Sequence, residues 1–229
     1  MDGLTSWLRQ LQFDGLFETV LLVAASLLCI TVHETCHGLA AYWLGDPTAK
    51  RAGRLTLNPI RHIDLMGLLM MALVRFGWAK PVPVDMRYFK NPRVGMAVTA
   101  AAGPASNVLL AFLALLLRSV LAYFCLRWPE SAVLEYLLLF TWYVALISAG
   151  LAVFNLFPVP PLDGSKVLFS FLPDRAYLTL MRYERYGMLA LMVLLLTGLL
   201  DAPLIILRDG LMAGLEAVTW WPLELLLGF

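Results

Sequence analysis

Residues 19–44 form a 26-residue run whose only formal charge is Glu34. As a helix this run measures about 39 Å at 1.5 Å per residue, enough to cross a hydrocarbon core of about 30 Å. Lipid offers no partner to a free backbone N–H or C=O, so a run of this kind folds as a helix among other helices. The composition agrees: 61% of residues are hydrophobic, 14% are charged, and mean hydropathy is +0.78. A soluble domain has about 45–50% apolar and about 25% charged residues. These values exclude a soluble globular enzyme and a disordered chain. A net charge of +1 leaves no excess for phosphate and excludes a nucleic-acid binder. Three cysteines, Cys29, Cys36 and Cys125, are too few for a disulfide framework and read as small packing residues.

The remaining chain reads as an all-α, polytopic membrane protein of four to six spans. Residues 1–18 form an N-terminal interfacial segment without the basic start of a signal peptide. Residues 19–200 form the membrane-embedded core, and residues 201–229 a last span or interfacial helix. Gly45-Asp46-Pro47 ends the first span. Residues 46–93 are the polar part and hold nine of the 17 Lys and Arg. Within them, residues 54–58 alternate like a short strand. Residues 63–76 are apolar but too short to cross, which suits a re-entrant piece. Further spans are expected at 94–117, 136–162, 186–200 and 211–229. If 63–76 only dips into the membrane, thirteen Lys and Arg fall on one side against Arg9, Arg118, Arg127 and Arg208 on the other. The positive-inside rule then puts the N-terminus outside and the polar part in the cytoplasm.

The chemistry lies on the inner half of the first span, in His33-Glu34-Thr35-Cys36-His37. Residues four apart share one helix face, so His33 and His37 can offer two imidazoles to one metal ion. Glu34 lies about 100° round the helix and can take a water proton without filling a coordination position. A catalytic zinc needs three protein ligands and an open place. Ionisable side chains at this depth cost free energy unless they are used. The candidates for a third ligand are Asp163, Cys29, Cys36 and His62. Asp163 follows the proline-rich stretch 155–162, where helix must break. Irregular backbone at membrane depth is tolerated where it is buried in protein or lines a hydrated cavity. Asn155 can donate to a developing oxyanion, hold the substrate backbone, or join two helices. Asn107 reads as structural.

These motifs resemble those of the site-2 proteases, intramembrane zinc metalloproteases. The matching elements are His33-Glu34-Thr35-Cys36-His37, Gly103-Pro104-Ala105-Ser106-Asn107 and the stretch from Asn155 to Leu162-Asp163-Gly164. The loop from Gly45-Asp46-Pro47 to Leu57-Asn58-Pro59 looks like the compact prokaryotic branch, and the length leaves no room for a PDZ or CBS-like module. The resemblance covers residues 19–170. It implies that His33, His37 and Asp163 bind one Zn2+ per chain, that Glu34 is the catalytic base, and that Asn155 assists.

The expected activity is therefore hydrolysis of peptide bonds in or near transmembrane segments of membrane proteins, that is, regulated intramembrane proteolysis. The expected location is a prokaryotic cell membrane, with the active site near the cytoplasmic side and the lipid bilayer and a transmembrane substrate as partners. An edge strand at 54–58 is expected to pair with the unwound substrate. A non-catalytic partner-binding relative and a metal transporter are the rival classes. A transporter needs polar groups on both sides of the midplane, and residues 19–32 carry no charge.

Overall fold

The computed structural model describes residues 13–67 and 79–228. All regular structure among them is helical. Helix α1 (Phe13–Trp43) is followed by the single turn α2 (Thr48–Arg51) and by 3-10 turns at Pro59–Arg61 and Met86–Tyr88. Two long helices come next, α3 (Pro92–Arg127) and α4 (Ala132–Leu156). The chain ends with α5 (Asp163–Phe169), α6 (Asp174–Leu196), α7 (Asp201–Thr219) and α8 (Trp221–Leu227).

Three helices are long and apolar enough to cross a membrane: Gly15–Trp43, Pro92–Arg127 and Ala132–Leu156. A fourth crossing appears only if Tyr186–Leu196 and Asp201–Leu227, bent by 87°, count as one span. The two late spans expected at 186–200 and 211–229 are thus one bent pair. The bend has a local cause: Gly198 takes a left-handed φ of 68°, and the chain leaves α6 there.

The bundle is held by small side chains. Ala25 and Cys29 of α1 meet Ala111 and Ala114 of α3 and Ala145 and Ala149 of α4. Small contact residues let helix backbones approach closely where lipid supplies no hydrophobic drive. Larger apolar side chains point outward instead; Leu16, Phe17, Val20 and Val23 of α1 are all more than half exposed. A surface of this kind belongs against acyl chains, so the chain is a multi-pass membrane protein.

Residues 54–58 do not form the expected strand. The Thr56 carbonyl accepts hydrogen bonds from Thr35 Oγ1 and His62 Nε2, both at 2.9 Å. Asn58 then caps the following 3-10 turn by accepting from Ile60 N. A backbone spent on side chains and a turn has no ladder to offer. The expected dip at 63–76 lies mostly outside the described residues, as does most of the segment 1–18.

Asp46, fully buried beyond the end of α1, ties the polar part to the bundle. Its Oδ1 accepts from Thr48 N at 2.8 Å and its Oδ2 from Asp85 N at 2.7 Å. Upstream, His62 O accepts from Lys80 N at 2.9 Å, and Arg54 Nη2 donates to Lys80 O. Residues 80–85 are therefore an irregular strap fixed at both ends, and it crosses α1 at the level of Glu34.

Candidate metal centre

His33 and His37 stand on one face of α1, as their spacing predicts, with rings edge to face and centroids 4.5 Å apart. Their Nε2 atoms are 2.9 Å apart. Asp163, the first residue of α5, brings Oδ2 to 3.2 Å from His33 Nε2 and 3.1 Å from His37 Nε2. Among the described residues this is the group of three that could hold a metal ion.

The local sequence explains how Asp163 gets there. α4 ends at Leu156, and Pro158, Pro160 and Pro161 carry the chain across the bundle without helix. Gly164 then packs so tightly against the carbonyls of Leu156 and Phe157 that a Cβ would overlap both. The start of α5 can therefore sit directly beneath the end of α4. Gly103 of α3 does the same for the imidazoles: a Cβ there would overlap His37 and come within 2.7 Å of His33 Cε1.

The hydrogen bonds around the rings settle their chemistry. His37 Nδ1 lies 2.7 Å from Thr99 O. A carbonyl only accepts, so Nδ1 carries the proton and Nε2 keeps its lone pair. His33 Nδ1 lies 3.2 Å from the side-chain amide of fully buried Asn107. The amide nitrogen makes this contact, and the amide oxygen has no partner. The two ends of an amide are assigned from the network; with its oxygen turned to the ring, Asn107 would accept from Nδ1–H and His33 would present a lone pair at Nε2 as His37 does. Three lone-pair atoms then converge, an arrangement that needs a shared cation. Their separations match the edge of a tetrahedron with bonds of about 2.0–2.1 Å, which is about 3.3 Å. Two imidazole nitrogens and one carboxylate oxygen fit zinc, so these residues are chemically suited to it.

Glu34 does not join the cluster. Its Oε2 accepts a hydrogen bond from Val82 N at 2.9 Å, donated by the strap. Two cavities meet beside it. One, of about 340 Å³, is lined by His33, Glu34, His37, Asp163, Lys166 and the strap residue Val82, among others. The other, of about 310 Å³, is walled mainly by apolar residues such as Leu27, Ile30, Phe154 and Leu191. His33, Glu34, Asn155 and Pro161 border both. Asn155 donates through Nδ2 to Leu151 O of its own helix at 3.0 Å, and among the described residues its side chain bonds no other helix.

The other candidate ligands fall elsewhere. Cys29 is buried in the helix core, where Ser148 Oγ donates to its sulfur at 3.1 Å. Cys36 stands outside the cluster, and His62 is engaged with Thr56 O. Four contributors were not visible as such in the sequence: Thr99 and Asn107 behind the imidazoles, Val82 on Glu34, and Lys166 in the polar cavity. Only Asn107 carried a signal, as an amide in an uncharged span.

Comparison with known proteins agrees with this chemistry. Residues 127–199 match the model of peptidase family M50. YwhC of Bacillus subtilis, which its name gives as a candidate zinc metalloprotease, is 36% identical over 78% of this chain and 81% of its own. Rip2 of Mycolicibacterium smegmatis, named in the same way, is 30% identical over 87% of this chain and 76% of its own. Rip2 of Mycobacterium tuberculosis is 29% identical over 88% and 77%. No solved structure matches.

Proposed function

Because the chain belongs to peptidase family M50, the site-2 family of zinc metalloproteases, we propose that it cleaves peptide bonds in or next to transmembrane segments of other membrane proteins. The observation that carries this reading is the meeting of a polar and an apolar cavity at Glu34, beside two imidazoles and a carboxylate, inside a bundle whose outer faces suit lipid. Such a junction can receive a greasy segment on one side and water on the other.

On this reading His33, His37 and Asp163 hold Zn2+. Zinc, when bound, supplies Lewis acidity that polarises a carbonyl and acidifies water. Glu34 takes a proton from the attacking water as its oxygen bonds to the scissile carbonyl carbon. It then gives that proton to the amide nitrogen as the C–N bond breaks. The strap leaves Oε1 of Glu34 for this work by holding Oε2. Asn155, at the junction of the cavities, orients the substrate backbone.

The same reading places the site near the cytoplasmic face of a prokaryotic cell membrane. The strap, the chain around Asp46 and α5 gather at one end of the bundle, the end richer in Lys and Arg.

The test is a pair of variants assayed on a model single-span substrate in liposomes. Glu34→Gln should keep its zinc and lose turnover by roughly 10³-fold or more, as removal of a triad residue does elsewhere. Asp163→Ala should lose the metal itself. Cleavage by Glu34→Gln at the wild-type rate, or metal flux without cleavage, would overturn the proposal.

A further inference from the structure

Lys166 stands one helical turn after Asp163 on α5, so the two share a face of that short helix. It is half-buried, and its side chain lines the polar cavity together with Glu34 and Asp163. Among the described residues lining that cavity it is the only Lys or Arg. Among the described residues it has no ion-pair or side-chain hydrogen-bond partner. Both carboxylates beside it are already engaged: Asp163 Oδ2 faces the imidazoles, and Glu34 Oε2 holds Val82 N–H. Its ammonium keeps contact with water in the resting site. It gains a partner once a negative charge enters the cavity or forms there.

The source of that charge can be narrowed. A membrane-spanning substrate is poor in acidic residues at depth. The charge that arises in every turnover is the one the reaction makes. When the water oxygen bonds to the carbonyl carbon, the π pair moves onto the carbonyl oxygen. When the C–N bond breaks, that pair re-forms the C=O of the new carboxyl group, and the amine leaves with the proton from Glu34. We propose that Lys166 is a catalytic residue that donates an N–H to the developing oxyanion of the scissile carbonyl. This rests on the protease reading above and adds to it the group that takes the charge. A cation already in place is effective because it need not be brought up as the charge forms, and a bound substrate displaces water that would screen it.

The test uses zinc-loaded enzyme in detergent, two peptide ligands of one sequence, and the variants Lys166→Met and Lys166→Arg. One ligand carries a phosphinic group in place of the scissile amide and so bears the anionic oxygen. The other is the intact peptide, bound to each variant in a Glu34→Gln background that cannot turn it over. Lys166→Met should lower kcat about 10²–10³-fold, leave zinc content unchanged, and weaken the phosphinic ligand by a similar factor. Its affinity for the intact peptide should stay within about twofold. Lys166→Arg should recover much of both losses. An unchanged affinity for the phosphinic ligand would overturn the proposal, whatever happens to kcat. So would an equal loss for both ligands, which means ground-state binding. If the Met variant fails to insert, Lys166→Gln beside Lys166→Arg makes the same comparison. Cleavage by Glu34→Gln alone would instead sink the underlying protease reading, so the two failures are distinct.

Discussion

Asn107 and Thr99 do the same job by different means. The side chain of Asn107, with its oxygen turned to the ring, would accept the Nδ1 proton of His33, and the backbone carbonyl of Thr99 accepts that of His37. Only the first can be removed by mutation. Asn107→Leu keeps the volume and takes away the acceptor, so His33 is free to choose the wrong tautomer. Zinc affinity should fall about 10–100-fold, the usual cost of losing a ligand's hydrogen-bond partner; competition with a chromophoric chelator would measure it. His33, Glu34 and His37 were legible in the sequence because their relation is local: four residues of helix fix it. Asn107 was not. Its role depends on α3 crossing α1 at Gly103, and nothing in the residues around position 107 announces that crossing. Asp163 lay between these cases, marked by prolines that forbid helix but not by any clue to its distance from His33.

Among the elements, the run at residues 54–58 departs furthest from expectation. The alternating run at 54–58 had the pattern of an edge strand, and the structure spends its backbone on Thr35, His62 and a turn. Period alone does not tell a strand from an extended loop whose carbonyls are bonded by side chains. Residues 81–84, whose prolines keep the chain extended, lie against Glu34. Val82→Pro removes the single donor involved and suits an already proline-rich extended chain. A hydrogen bond to a charged group contributes about 1.5–3 kcal/mol, so kcat should fall about 10–100-fold with zinc content unchanged. Loss of zinc in this variant would mean that the strap supports the whole site and not Glu34 in particular. The bent pair α6–α7 shows the converse: its hydropathy was legible, and its direction was set by one left-handed glycine.

For the whole molecule, three crossings fix which loops share a side. The turn between α3 and α4, at residues 128–131, should be separated by the membrane from the strap and from residues 170–173. Single cysteines placed at residues 130 and 170, after replacement of Cys29, Cys36 and Cys125, should label oppositely with a membrane-impermeant maleimide in sealed vesicles. Labelling of both from one side would break the proposed topology. The same connectivity bears on how the protein is made. His33 leaves the ribosome 130 residues ahead of the carboxylate of Asp163, and His37 follows it by four. Until α4 has been inserted and the proline stretch has turned back, a half-made chain has two donors and no third. On the proposed function, the newborn protein would therefore lack a complete metal site until its own synthesis is well past the middle.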